Sequence, residues 1–222
     1  MKIFAGPGGP VQWGRPLPPK FAPEKNERCL ELPLALLAVY RVSPILDAGC
    51  SLNKDDTHDW LKAHVVHINL SGEQAYRHPR RHYVTGDLRA LPFADRSFPA
   101  VACVSTLEHV GMDNRHYRGG FETDPESMWA AVAELRRVTS DTLVISVPYG
   151  IAEPHPSGQW RACGPGDLGR LLTMLQPATT SVAYYGWEPE GWRGAGPELG
   201  KRRAWRGEKT VTGLAVIKAL VA

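Results

Sequence analysis

The chain has 222 residues, with 26 basic and 23 acidic side chains, a formal net charge of +3 and four cysteines. This length fits one domain that buries most of its apolar surface without cross-links, and the charge is too small to indicate a dedicated nucleic-acid binder. The cysteines lie far apart without a CxxC pair, which favours free thiols over a disulfide framework or a zinc site. No signal-peptide pattern and no apolar run of about 18 residues occurs, so we expect a cytoplasmic protein without a membrane span.

The first part of the chain is predicted to be an arm followed by a helix. Residues 1–23 are rich in proline and glycine, which disfavour helices and central strands. This arm is expected to be either disordered or draped over the domain, and Trp13 favours the second arrangement. A helix is predicted from Glu24 to Tyr40 with a kink at Pro33, and residues 24–222 are expected to form one domain.

Short apolar runs then alternate with helical patterns. Strands are predicted at 45–48, 64–70, 81–87, 99–105 and 141–149, helices at 124–138 and 164–175, and a terminal antiparallel pair at 180–187 and 211–220. This alternation is typical of a parallel sheet covered by helices on both faces. Because such sheets bind ligands outside the carboxyl ends of their strands, the residues at those ends are the first site candidates.

Small or polar residues follow three of the predicted strands. The first strand ends in Asp47-Ala-Gly-Cys-Ser51, where a small-residue turn lets backbone approach a ligand, although a tight packing turn has the same pattern. Asn69 ends the second strand roughly 20 residues further on, where a polar side chain either hydrogen-bonds a ribose or caps the strand. Asp87 ends the third strand and can accept a hydrogen bond from an adenine amino group.

At these strand ends the sequence resembles the class I S-adenosylmethionine-dependent methyltransferases, most closely their small-molecule members. The resemblance covers about residues 24–175 and is carried by NERCLELP (26–33), LDAGCS (46–51), INLS (68–71), GDLRALPFADRSFPAVACVSTLEHVG (86–111) and RRVTSDTLVISVPYG (136–150). It implies an α/β fold with a Rossmann-like, doubly wound, mostly parallel seven-stranded sheet and a C-terminal antiparallel strand pair.

The resemblance also implies that the cofactor is S-adenosylmethionine and assigns residues to it. Its methionine part would meet Gly49, Cys50 and Ser51 on a loop set by Asp47, its ribose Asn69, its adenine Asp87 and Leu88, and its sulfonium Ser105 and Thr106. The sequence departs from the family pattern at two points. The turn keeps only Gly49 of the usual two or three glycines, and Asn69 replaces the usual acidic residue, which removes a charge-assisted hydrogen bond worth roughly 1.5–3 kcal/mol.

A second group of residues lies where a methyl acceptor would arrive. His109 follows the fourth strand and is a candidate general base, because histidine has an ordinary pKa of about 6.5; the alternative is that it only shapes the pocket. The candidate substrate contacts are Glu108, Tyr149, His155 and Trp160. For Glu108, the favoured role is to orient the backbone or His109 rather than to contact substrate. We expect solvated positions for His64, His67, His78 and His82. A metal site from His109, Asp113 and His155 is an alternative that no spacing requires, and we predict none.

The favoured function is methylation of a hydroxyl or amine on a small molecule, such as a sugar, a nucleotide sugar or a natural-product intermediate. Residues 186–209 keep an RNA or protein methyltransferase open, because they combine tryptophans with Arg193, Lys201, Arg202, Arg203 and Arg206. Their plain alternative is a solvated loop with packed tryptophans. The thinned glycine motif leaves a third hypothesis, a methyltransferase fold that binds without turnover. We expect a small-molecule partner rather than nucleic acid or a membrane.

Overall fold

The computed structural model describes residues 10–54, 61–71, 78–115, 123–207 and 210–221. The helices are α1 (Arg28–Val39), α2 (Met128–Val138) and α3 (Pro165–Leu175). The strands are β1 (Ile45–Ala48), β2 (Val65–Asn69), β3 (Arg81–Thr85), β4 (Phe98–Val104), β5 (Thr139–Pro148), β6 (Pro177–Glu188), β7 (Gly191–Ala195), β8 (Trp205–Arg206), β9 (Thr210–Val211) and β10 (Gly213–Val221). Among these described elements, no helix is long and apolar enough to cross a membrane.

Eight strands form one sheet in the order β3-β2-β1-β4-β5-β10-β6-β7. The pairs from β3 to β5 are parallel, and those joining β10, β6 and β7 are antiparallel. The predicted α/β class, the parallel sheet and the terminal antiparallel pair are therefore confirmed. The predicted count of seven strands is wrong by one, because the segment after β6 turns back at Gly191 and pairs as β7.

The sheet separates two apolar cores. Helices α2 and α3 cover one face, and α1 covers the other together with residues of the N-terminal arm. Strand β4 contributes to both, since successive side chains of a strand point to opposite faces: Val101 and Cys103 belong to the first core, and Ala100, Ala102 and Val104 to the second. Burial on both faces explains why β4 is an almost continuous apolar run.

The described part of the arm lies against α1 and β7. The Trp13 indole donates to the carbonyl oxygen of Leu34 at 3.0 Å, and the Trp192 amide donates to the carbonyl oxygen of Phe21 at 2.7 Å. Residues 10–23 are thus draped over the antiparallel part of the sheet, whereas residues 1–9 lie outside the described residues. Helix α1 begins at Arg28, four residues later than expected, and contains Pro33.

Acidic side chains form capping hydrogen bonds in the 3-10 turn that precedes α2, Pro125–Ser127, and in the first turn of α3. Asp124 accepts a hydrogen bond from the amide of Glu126 at 3.1 Å, ahead of Pro125 and α2. At α3, Asp167 accepts from the amide of Gly164 at 2.9 Å, with Pro165 at the first helical position. Proline is favoured there because it has no N–H to leave unpaired.

Candidate active site

A cavity of about 300 Å³ lies at the carboxyl ends of the parallel strands. Open α/β sheets bind ligands at this edge. The lining comes from α1 and from the segments after β1, β2, β3 and β4, and comprises Arg28, Gly49, Ser51, Asn69, Leu70, Ser71, Gly86, Asp87, Leu88, Arg89, Ser105, Thr106, His109, Val110, Gly111 and Asn114.

Most of the residues expected to bind the cofactor meet in this cavity. Seven of the nine line it, namely Gly49, Ser51, Asn69, Asp87, Leu88, Ser105 and Thr106. The other two, Asp47 and Cys50, are buried behind the turn. The candidate base His109 also lines the cavity, whereas Glu108, Tyr149, His155 and Trp160 do not.

The turn after β1 needs glycine for two independent reasons. Gly49 has φ +105°, which side-chain-bearing residues rarely adopt, and a Cβ there would overlap the side chain of Thr106. The Thr106 hydroxyl is itself fixed, because it donates to the carbonyl oxygen of Val104 at 2.9 Å. Backbone and Thr106 therefore meet closely at the cavity wall, where a bulkier turn would fill the space.

Asp47 holds this turn from beneath, together with a histidine that the sequence did not single out. Its Oδ2 accepts from the amide of Leu52 at 3.0 Å and from Nδ1 of His67 at 2.7 Å. The His67 ring stacks on Tyr83, with ring centroids 5.0 Å apart, and the Tyr83 hydroxyl donates to Oδ1 of Asn53 at 3.0 Å. A row of contacting side chains thus runs across β1, β2 and β3, and it hydrogen-bonds to the loop after β1 at Leu52 and Asn53.

The expectation of a solvated His67 is wrong. Only 1% of this residue is exposed, because β2 is an inner strand with β1 and β3 on either side. His64, His78 and His82, which lie at the ends or on the edge of the sheet, are exposed as expected.

Asp87 is anchored by its neighbour. Arg89 donates from Nε to both carboxylate oxygens, at 3.1 and 3.0 Å, and from Nη2 to Oδ2 at 2.7 Å. Partial burial acts to raise the pKa of Asp87, but the hydrogen bonds from Arg89 outweigh it and hold the pKa below its ordinary value. The carboxylate is therefore ionised at neutral pH and serves as an acceptor.

Helix α1 supplies a part of the site that sequence reasoning missed. Glu31 is fully buried, and its Oε2 accepts from the hydroxyls of Ser105 and Ser146, each at 2.7 Å. Its Oε1 pairs with Nη1 of Arg28 at 2.9 Å, and the same Nη1 donates to Oγ of Ser51 at 3.3 Å. The available signal was a charged residue between Leu30 and Leu32 on an otherwise apolar helix.

His109 lies in a short 3-10 helix, Leu107–His109, directly after β4. Its Nδ1 is 2.7 Å from the carbonyl oxygen of Gln159. Since a carbonyl only accepts hydrogen bonds, Nδ1 carries the proton and Nε2 is the basic nitrogen of the neutral ring. Two further bonds tie the same loop to this segment: the Asp113 amide donates to the carbonyl oxygen of Gly158, and the Arg161 amide to that of Glu108, each at 3.0 Å.

None of the four expected substrate contacts lines the cavity. Burial raises the pKa of Glu108 to about 8, so this carboxyl is largely protonated at neutral pH. The Tyr149 hydroxyl donates to the carbonyl oxygen of Pro197 at 3.2 Å. His155 does not overhang the cleft, because its ring is buried by stacking on Trp160 at 4.5 Å and by Trp205 edge-on at 5.2 Å. Within the described ranges, no three potential ligands are grouped to hold a metal.

The tryptophans of residues 186–209 pack against the domain and are not exposed for stacking on a ligand. The indole of Trp187 donates to the carbonyl oxygen of Pro23 at 3.1 Å, and that of Trp192 to Lys25 at 2.9 Å. Trp205 is buried against Trp160, with ring centroids 5.3 Å apart. The exposed charged residues of this segment include Lys201, Arg202, Arg203 and Arg206 together with Glu190 and Glu198. The plain alternative for this segment, packed tryptophans with solvated charges, is the one observed.

Comparison with known proteins finds similarity to methyltransferases in both sequence and fold. A family model described as a methyltransferase domain matches residues 46–142, from β1 into β5. No curated protein matches the chain in sequence. A solved S-adenosylmethionine-dependent methyltransferase from Methanosarcina mazei is 14% identical with a TM-score of 0.51, over 83% of this chain and 95% of that one.

Two other solved structures have the same fold. The 1,6-didemethyltoxoflavin-N1-methyltransferase of Burkholderia thailandensis is 13% identical with a TM-score of 0.51, over 85% of this chain and 76% of that one. The [4+2]-cyclase SpnF is 15% identical with a TM-score of 0.54, over 96% of this chain and 88% of that one. These low identities establish the shared fold only. The matching family model identifies residues 46–142 as a methyltransferase domain, and the chain has the fold of S-adenosylmethionine-dependent methyltransferases.

Proposed function

We propose that this methyltransferase methylates a hydroxyl or amine on a small molecule and that His109 is the general base. The observation that carries the proposal is the position of His109, which lines the same cavity as the strand-end residues while Gln159 holds its Nδ1 at 2.7 Å. This geometry leaves Nε2 as the nitrogen that takes a proton.

The residues after β1, β2 and β3 suit the amino-acid part, the ribose and the adenine of the cofactor, respectively. The backbone of the turn at Gly49 and Ser51 lines the cavity, where the amino-acid part would lie, and the amide of Asn69 can both donate to and accept from ribose hydroxyls. The ionised Asp87 accepts from the adenine amino group, while Leu70 and Leu88 offer apolar contact to the ring. S-adenosylmethionine, when bound, supplies a methyl group activated by a sulfonium.

The work left to the protein is alignment and proton transfer. Nε2 of His109 receives the proton of the acceptor hydroxyl as that oxygen becomes a nucleophile. The positive charge that then develops on the ring is stabilised through the Nδ1–H bond to the Gln159 carbonyl. Backbone bonds from Asp113 and to Glu108 hold the same loop against the segment that contains the base.

A small-molecule acceptor is favoured over RNA or protein by the packing of residues 186–209. The tryptophans that suggested base stacking are packed into the domain. The Burkholderia enzyme, named for methylation of a small heterocycle and solved with that molecule and S-adenosylhomocysteine, is consistent with this class of acceptor.

The test is a methyl-transfer assay on a panel of hydroxyl and amine acceptors, with products detected by mass spectrometry. For a hydroxyl acceptor, His109→Gln should lower kcat by about 10²- to 10⁴-fold while the affinity for S-adenosylhomocysteine stays within about threefold. His78→Gln, which changes an exposed histidine, is the control. An unchanged kcat in His109→Gln rules out the base, and methylation of RNA alone rules out the small-molecule acceptor.

A further inference from the structure

We infer that Arg28 of α1 binds the carboxylate of the cofactor's amino-acid part and that Glu31 is the residue that positions it. This inference rests on the proposed placement of the cofactor along the strand ends. It adds to the site a helix that precedes the matched family segment, residues 46–142.

The first observation is the position of Arg28 at one end of the cavity. Arg28 lines the cavity, and its Nη1 lies 3.3 Å from Oγ of Ser51, at the end of the turn that contains Gly49. The other arginine in the lining, Arg89, lies at the opposite end and is bound to Asp87. A ligand whose adenine lies at Asp87 extends its amino-acid part toward the turn, where Arg28 is the arginine that the described residues contribute to the lining.

The second observation is that the guanidinium is held before any ligand arrives. One-third of the Arg28 side chain is exposed, whereas its partner Glu31 is fully buried. The Ser51 hydroxyl donates to the carbonyl oxygen of Val104 at 2.7 Å, so its oxygen is turned to accept from Arg28. When Arg28 binds a carboxylate, it therefore loses less side-chain conformational entropy than a mobile surface arginine would lose.

The third observation is that Glu31 holds two walls of the cavity at once. Its Oε2 accepts from Ser105, a lining residue whose backbone has φ +41°, while its Oε1 faces Arg28. Arginine suits this arrangement because its planar group has five N–H donors, enough to serve Glu31, Ser51 and a ligand carboxylate together. The buried Glu31 carboxylate thus fixes the side chains of Arg28 and Ser105, both of which line the cavity.

The experiment compares two ligands that differ only at the amino-acid part. Calorimetry would measure the affinities for S-adenosylhomocysteine and for 5′-methylthioadenosine, which lacks the carboxylate. Arg28→Ala should weaken S-adenosylhomocysteine about 10- to 100-fold and leave methylthioadenosine within about twofold. Arg28→Lys, which keeps the charge but not the planar fork, should fall between Arg28→Ala and wild type. Arg41→Ala, at an exposed position two residues beyond the end of α1, is the control for net charge.

Glu31→Gln tests the positioning role. The glutamine oxygen can still accept from Ser105 and Ser146, but its NH₂ group then faces Arg28, donor against donor. We expect weaker binding of S-adenosylhomocysteine with methylthioadenosine unchanged, and little further loss when Glu31→Gln is added to Arg28→Ala. Additive losses, or equal losses for both ligands, assign Glu31 a purely structural role and overturn that part.

The outcomes separate this inference from the proposed function. If wild-type protein binds S-adenosylhomocysteine and Arg28→Ala leaves that affinity unchanged, the inference is wrong while the cofactor site stands. If neither ligand binds the wild-type protein, both fail. Thermal denaturation of each variant shows whether it is folded, and the two Arg28 variants decide the carboxylate contact even where Glu31→Gln does not fold.

Discussion

Gly49→Ala should destabilise the protein by the sum of two separable costs. The first is backbone strain, because φ at Gly49 is +105°, and such conformations cost about 1–3 kcal/mol for a residue with a side chain. The second is overpacking, because the new Cβ would overlap Thr106, and forced contacts in a packed region cost about 1–3 kcal/mol. The expected total is therefore about 2–6 kcal/mol.

Alanine variants of two other glycines allow the backbone strain to be measured separately from the overpacking. Gly158 has φ +73° and open space around its Cβ position, so Gly158→Ala carries the strain alone. Gly169, inside α3, has open space and no positive φ, so Gly169→Ala should be neutral or stabilising by up to about 1 kcal/mol.

Urea denaturation of the three alanine variants and wild type gives the free energies of unfolding. We expect the order of stability to be Gly169→Ala, then Gly158→Ala, then Gly49→Ala. Thr106→Ala removes two of the three atoms that the new Cβ would meet, so it should partly restore Gly49→Ala. A Gly49→Ala variant no less stable than Gly158→Ala would refute the close contact between the turn and Thr106.

Three further predictions concern other residues of the site. Asn69→Asp restores the acidic residue typical of the family and should tighten S-adenosylhomocysteine binding about 10- to 100-fold by calorimetry; weaker binding would contradict the ribose assignment. His67→Phe removes the 2.7 Å bond to buried Asp47 and should cost about 1–3 kcal/mol in urea denaturation, whereas His64→Phe, at an exposed position, should cost almost nothing. Glu108 has its folded-state pKa raised to about 8 by burial, so the folded state holds a proton that the unfolded chain releases near pH 4.5. The stability of wild type relative to Glu108→Gln should therefore fall between about pH 5 and pH 8, by up to about 1.4 kcal/mol per pH unit, and a flat difference would contradict a buried carboxyl.

Sequence patterns were sufficient where a local feature decides the structure. The strand β4, the helices α2 and α3 and the small-residue turn at Gly49 could all be predicted from the sequence. The convergence of Asn69, Asp87 and Thr106 on one cavity follows from the rule that parallel strands end at the same edge of a sheet.

The missed features depend on partners distant in sequence. Strand β7 contains two glycines and forms because it pairs with β6. His67 is buried because its polar partners Asp47 and Tyr83 lie on the two adjacent strands, which only the strand order reveals. Glu31 is buried because Ser105, directly after β4, and Ser146 of β5 supply hydrogen-bond donors to its carboxylate.

The position of the cofactor is the central claim, and a crystal structure with S-adenosylhomocysteine tests it most directly. We expect the adenine beside Asp87 and Leu88, the ribose at Asn69 and the sulfur toward Thr106 and His109, all within the cavity at the ends of β1 to β4. S-adenosylhomocysteine bound elsewhere on the protein, or bound in this cavity with its adenine away from Asp87, would contradict the account.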